Sequence, residues 1–168
     1  MSALSPDQVP DNWGIIASNY ERSFEGLSAQ FAAHALRLLD VKPGERVIDV
    51  AAGTGAFSLL AARAGAEVLA TDFAPGMIAR LRERIAAERL TNISAEVMDG
   101  QALAVSEASF DASVSVLDLI FFPDITKGVA ELRRVLRPGG RTAIVCWNDP
   151  ENLELFLRLL DKPQVGKN

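Results

Sequence analysis

The chain of 168 residues predicts a doubly wound α/β fold, a mostly parallel sheet with helices on both faces. Short apolar runs alternate with stretches of helical period, the order expected of β-α-β units. Those runs are near-continuous rather than alternating in polarity, as strands covered on both sides require. A glycine turn, AAGTG (51–55), follows the first run, and folds of this kind bind ligands at the carboxyl ends of their strands.

Taken in order, residues 12–24 and 27–40 read as two helices. Trp13, Ile16 and Tyr20 fall at helical spacing, and Phe31, Ala35, Leu38 and Leu39 share a stripe that makes His34 a packed helix residue. RVIDV (46–50) is the first strand, and residues 56–64 form a helix. EVLAT (67–71) is the second strand. A helix over 75–89 starts on Pro75, whose missing N–H costs nothing at a first helical position. It buries Met77, Leu81 and Ile85 and turns its arginines outward. ISAEV (93–97) is the third strand, followed by a polar segment with a short helix near 101–104. DASVSV (111–116) is the fourth strand. A helix over 124–136 carries Ile125, Val129, Leu132 and Leu136 on one stripe and stops at PGG (138–140). RTAIVCW (141–147) is the fifth strand, and a last helix over 150–160 runs into a polar tail.

Composition narrows the function. Hydrophobic residues make up 49% and charged residues 23%, which suits a single globular domain. The net charge of −5 argues against nucleic acid and anionic membrane as partners. No basic start and no apolar leader precede the first helix, so the expected location is cytoplasmic. Cys146 stands alone in an apolar run, so its expected role is core packing. With one cysteine and one histidine, a soft-ligand zinc site cannot be assembled, and no metal is expected.

The glycine turn is the informative stretch. A dinucleotide fingerprint, G-x-G-x-x-G, fits neither frame: one gives Gly53, Gly55 and Ser58, the other Ala51, Gly53 and Ala56. The plain alternative is that these glycines only make a tight turn. Asp49, however, is an acid in a buried strand, which is costly without a partner. Asp72 follows the second strand, 19 residues after Gly53, where a carboxylate can accept from ribose hydroxyls. Asp99 follows the third and can accept from an adenine amino group. Three acids at three strand ends suit a cationic nucleoside and repel a pyrophosphate.

DVAAGTG, TDFAPGM (71–77), MDGQAL (98–103), SFDASVSV (109–116) and ELRRVLRPGGR (131–141), in this order, resemble the class I S-adenosylmethionine-dependent methyltransferases. The resemblance covers about residues 13–149 and is to the bacterial small-molecule branch related to quinone methyltransferases. It implies a Rossmann-like sheet of strand order 3-2-1-4-5, with S-adenosylmethionine as methyl donor and S-adenosylhomocysteine as product. It also implies site roles. Ala51, Gly53 and Gly55 hold the methionine moiety, with Asp49 nearby, and Leu117 borders it. Asp72 binds the ribose, with Phe73 and Met77 beside the adenosine, and Asp99 and Gly100 frame the adenine. Tyr20 is a lid residue on a helix that closes over the cofactor. Ala51 replaces the usual glycine, for which a slight adjustment is expected. The arginines of ELRRVLRPGGR read as a solvated helix face.

Asp118, in the segment LDLIFFP (117–123), is the candidate for orienting or deprotonating a small-molecule acceptor, against the plain reading of a loop carboxylate. The expected layout is one domain: packing and lid helices over 1–40, a cofactor-binding core over 41–149, and a C-terminal helix and tail over 150–168. The family's strands six and seven have no counterpart in these residues. The expectation is a truncated methyltransferase whose open fifth strand pairs in a homodimer. Two alternatives remain: a cofactor-binding or assembly protein with little turnover, and an NAD-dependent dehydrogenase.

Overall fold

The computed structural model describes residues 8–147, apart from the side chains of residues 16, 18–23 and 25. Five strands form one sheet in the order β3-β2-β1-β4-β5. They are β1 (Arg46–Val50), β2 (Glu67–Asp72), β3 (Ile93–Val97), β4 (Phe110–Val116) and β5 (Leu136–Val145). Every pairing is parallel, so each connection must cross a face of the sheet. The crossovers carry α2 (Ala56–Arg63), α3 (Pro75–Glu88) and α4 (Ile125–Arg134).

The alternation of β1 sets the two faces. Val47 belongs to the cluster of Ala32, Ala35, Leu39, Phe57 and Ala61 under α1 and α2. Ile48 and Val50 point the other way, to Leu132 and Val135 beneath α4. Asp49 therefore shares the face of Val47 and meets α2. β1, β2 and β4 are mostly buried, whereas β3 and β5 are exposed along much of their length because they are edges.

The N-terminal segment departs from expectation. A single helix, α1 (Pro10–Leu39), runs through residues 24–27 without a break. Gly26 costs a helix interior roughly 1 kcal/mol relative to alanine, a penalty that packing at both ends outweighs. Its buried stripe is Ala32, Ala35 and Leu39, while Leu38 is 68% exposed and His34 lies on the open face. The 101–104 segment is a turn rather than a helix, closed by Ala102 N donating to Asp99 O.

Around PGG the boundaries also move. α4 ends at Arg134, and β5 begins at Leu136 and includes Pro138, Gly139 and Gly140 as a bulge between its pairings with Phe110 and Ala112. The bulge holds Gly139 at φ +80° and brings Arg137 against the buried carboxylate of Asp111, which also accepts from Arg46 N. Arg134 bonds Glu131 and the carbonyls of Leu103 and Val105, and Arg141 reaches Leu39 O and Glu45. Arg134, Arg137 and Arg141 are thus clamps, whereas Arg133 is exposed on α4, as a solvated helix face requires. The buried residues of α4 are Gly128 and Leu132, while Ile125 and Val129 are 47% and 41% exposed. Cys146, on the edge of the sheet, is exposed rather than packed in the core. The helix expected over 150–160 lies outside the described residues.

α1 and α3 cross with glycine against glycine. A Cβ built on Gly76 would stand 2.4 Å from Gly14 Cα, a backbone atom that can move only with its helix. Gly76→Ala is therefore expected to lower stability by about 1–3 kcal/mol in urea unfolding, by overpacking. Gly14→Ala, whose Cβ meets Gly76 Cα at an ordinary 3.4 Å, is expected to cost less.

Candidate functional site

A cavity of about 440 Å³ opens at the carboxyl ends of β1, β2 and β4, between the glycine turn and the segment after β4. It lies within the usual range for small-molecule sites. Asp49, Ala51, Gly53, Asp72, Phe73, Met77, Asp99, Gly100 and Asp118 all line it. Gly55 and Leu117 do not belong to the lining, and the Tyr20 side chain lies outside the described residues.

Each turn residue has its own reason. Gly53 sits at φ +55° with open space where a Cβ would project, and its amide donates to Asp72 Oδ2 at 2.9 Å. Gly55 serves packing: at φ +94°, its Cβ would collide with Leu81 Cδ1 of α3 at 2.3 Å. Ala51 occupies the left-handed region at φ +60°, so the replacement of glycine there carries backbone strain. Arg84 donates to Thr54 O at 2.9 Å and ties α3 to the turn.

Asp72 is buried at the end of β2 and accepts from Gly53 N on one oxygen and Ala74 N on the other, each at 2.9 Å. Burial still pushes its pKa up to about 6, against the two amides. Asp49 is 1% exposed and accepts from Ser58 Oγ at 2.5 Å. Its pKa is pushed up to about 7 by burial, with the Asp72 charge adding and the Ser58 bond opposing. Ser58 is the residue that breaks the dinucleotide fingerprint. Its partnership with Asp49 was signalled by a hydroxyl in the otherwise apolar AFSLLAA, on the face of α2 that meets β1.

Asp118 is held well above the ordinary carboxylate range by loss of water, then by the charges of Asp72 and Asp49. Asp99 is exposed at the mouth, where it accepts from Gln101 N and Nε2. Gln101 in turn accepts from Asp124 N, which ties this loop to the start of α4. Gly100 is a glycine because a Cβ would strike the Phe122 ring at 2.5 Å and Val50 at 2.8 Å. Trp13 of α1 is 8% exposed and stacks on Phe121 at 5.5 Å between ring centroids, closing one side. Sequence reasoning missed Val116, at the end of β4, as a lining residue, whereas Phe121, Phe122 and Pro123 belong to the segment it placed at the cavity. None of the described lysines, arginines or histidines lines it.

The donor set therefore fits a cationic nucleoside. Acids line the cavity, an open face lies over Gly53, and apolar Phe73 and Met77 are available to a flat base.

Comparison with known proteins agrees. The family described as "Methyltransferase domain" matches residues 47–140. A demethylmenaquinone methyltransferase of Corynebacterium glutamicum (strain R) is 38% identical over 168 residues, spanning 96% of this chain and 68% of that protein. An uncharacterised protein of Mycobacterium tuberculosis (strain H37Rv) is 40% identical over 135 residues, 80% of this chain and 48% of its own. The chain thus spans about half the length of such mycobacterial relatives. In fold, a putative S-adenosyl-L-methionine-dependent methyltransferase from Methanococcus maripaludis superposes with a TM-score of 0.73 at 19% identity, covering 99% of this chain and 90% of that one. The chain belongs to the class I S-adenosylmethionine-dependent methyltransferases.

Proposed function

We propose that this chain binds S-adenosylmethionine in the cavity between Gly53 and Asp118 and transfers its methyl group to a small-molecule acceptor. The observation that carries this reading is the set of buried or half-buried carboxyls Asp49, Asp72 and Asp118 around one cavity whose described lining is free of basic side chains. Buried carboxylates call for positive charge or donors. A sulfonium with an ammonium group supplies the first, and ribose hydroxyls supply the second.

In this reading Asp72 accepts from the ribose through the lone pairs its two backbone amides leave over. Ala51 and Gly53 hold the methionine moiety, with Asp49 behind them. Asp99 and Gly100 frame the adenine, and Phe73 and Met77 cover the adenosine. Val116, which lines the cavity, takes the bordering role first given to Leu117. When bound, the cofactor supplies an activated methyl group. The chain supplies alignment and a water-poor enclosure built from Trp13, Phe121 and Phe122. The demethylmenaquinone methyltransferase relative points to demethylmenaquinone as the first acceptor to assay.

Calorimetric titration is expected to show binding of S-adenosylmethionine and S-adenosylhomocysteine in preference to NAD. Preference for NAD, or no binding of any of them, overturns the reading. Asp72→Ala is expected to weaken cofactor binding by about 10-fold or more. Ala51→Gly should leave binding intact and relieve a left-handed strain of about 1 kcal/mol. A radiolabelled methyl-transfer assay with demethylmenaquinone then separates an enzyme from a passive binder.

Stability without ligand should depend on pH with a definite sign. Asp49 and Asp72 have folded pKa values of about 7 and about 6, above their ordinary 3.8. Between those limits the folded state binds more protons than the unfolded chain, so stability falls as the pH rises through the window. The slope is on the order of 1.4 kcal/mol per pH unit for each titrating group. Urea unfolding at both ends of the window is expected to show the loss. Asp49→Asn should remove the Asp49 share and leave that of Asp72, and saturating S-adenosylmethionine should reduce the dependence.

A further inference from the structure

We propose that Asp118 selects the acceptor: its carboxyl takes a hydrogen bond from an O–H or N–H on an otherwise apolar molecule and turns away molecules carrying an anionic group. The inference rests on the cavity being the methyl-donor site. The sheet order brings acids to the cavity from both sides of β1, from β2 and β3 on one side and from β4 on the other. Asp72 and Asp99 follow β2 and β3 and serve the nucleoside. Asp118 follows β4, on the other side of β1, and Phe121, Phe122 and Pro123 come after it as an apolar wall that reaches back to Gly100 and to the cluster of Trp13 and Met77.

The local backbone keeps Asp118 available. A short 3-10 turn, Leu119–Phe121, begins directly after it, yet the Asp118 side chain makes no capping bond to that turn. Asp124, at the start of α4, does cap, accepting from Lys127 N. The Asp118 carbonyl accepts from Phe121 N, and the residue lines the cavity. Leu117, one residue earlier, is buried in the left-handed region at φ +73°, with its amide donating to Val145 O at 2.8 Å. A non-glycine residue in that conformation persists only where its surroundings hold it, and such positions cluster at binding sites. Here it sets the exit of β4 so that Val116 and Asp118 line the cavity while Leu117 does not.

Charge supplies the exclusion. An anionic acceptor would enter beside Asp49, Asp72 and Asp118 with no basic lining side chain among the described residues to offset it. A neutral hydroxyl or an ammonium meets an acceptor oxygen instead. Burial and then the charges of Asp72 and Asp49 raise the Asp118 pKa, so the exclusion of an anion strengthens as the pH rises and the carboxyl ionises.

The test uses four probes of one shape on protein saturated with S-adenosylhomocysteine: naphthalene, 1-naphthol, 1-naphthylmethylamine and 1-naphthoate. Affinities are read by fluorescence titration. Wild-type protein is expected to bind 1-naphthol or 1-naphthylmethylamine about 10-fold or more tightly than 1-naphthoate, and more tightly than naphthalene. Asp118→Leu should abolish both preferences. Asp118→Asn, which keeps a carbonyl oxygen and loses the charge, should retain 1-naphthol and gain 1-naphthoate, a split that a purely structural role would not produce. Equal binding of 1-naphthoate and 1-naphthol by the wild type, an unchanged ratio in Asp118→Leu, or no binding of any probe overturns the proposal. S-adenosylhomocysteine binding, measured first, separates the two readings. Its absence in the wild type sinks the methyl-donor reading and this one together. Its retention in Asp118→Leu with unchanged probe ratios sinks this one alone.

Discussion

Asp72 joins two turns with one carboxylate. One oxygen accepts from Gly53 N in the turn after β1, the other from Ala74 N at the start of α3. Without those bonds two backbone amides at the cavity floor would lose their acceptor, and such groups are costly when left unpaired. With them, the glycine turn is fixed in register with the end of β2, and α3 begins where Met77 can line the cavity. Placing the acid there is unfavourable in itself, as its raised pKa records. The architecture thus holds a charge that the backbone only partly compensates, and the remaining demand is available to a ligand.

The same demand spreads to neighbouring groups. Asp49 sits on the face of β1 that meets α2, where Ser58 offers it a side-chain hydrogen bond. Asp118 enters from the β4 side and feels both other acids. Three strands contribute one carboxyl each because their carboxyl ends converge at the point where strand order reverses. The convergence of charge is therefore a property of the topology as much as of any one motif.

Much of this was legible in the sequence, and the failures have physical causes. Strand order followed from the resemblance, and β1, β2, β3 and β4 from apolar runs bounded by turn residues. ISAEV was read to the residue. Asp49, Asp72 and Asp99 reach the same cavity because acids near strand ends have few other places to go. Gly53 and Gly55 look alike as letters but differ in cause. One leaves space over the cavity and the other makes room for Leu81, a distinction that depends on a neighbour in α3. The unbroken α1 was hidden because Gly26 suggests an end that long-range packing overrides. Arg134, Arg137 and Arg141 of ELRRVLRPGGR were misread because their partners, Asp111, Glu45 and the carbonyls of Leu39, Leu103 and Val105, are distant in sequence. Local period cannot see such partners.

The two edges of the sheet are not equivalent. On β3, Asn92 O accepts from Val68 N, so the carbonyls of Ile93 and Ala95 face outward. Arg82 of α3 donates twice to Ala95 O, at 2.9 and 2.7 Å, and occupies that edge. On β5, Ile144 is 39% exposed and Cys146 lies in the open. A carbonyl that already accepts two guanidinium bonds is a poor template for an added strand, so Arg82 guards the β3 edge at Ala95 against pairing with another chain.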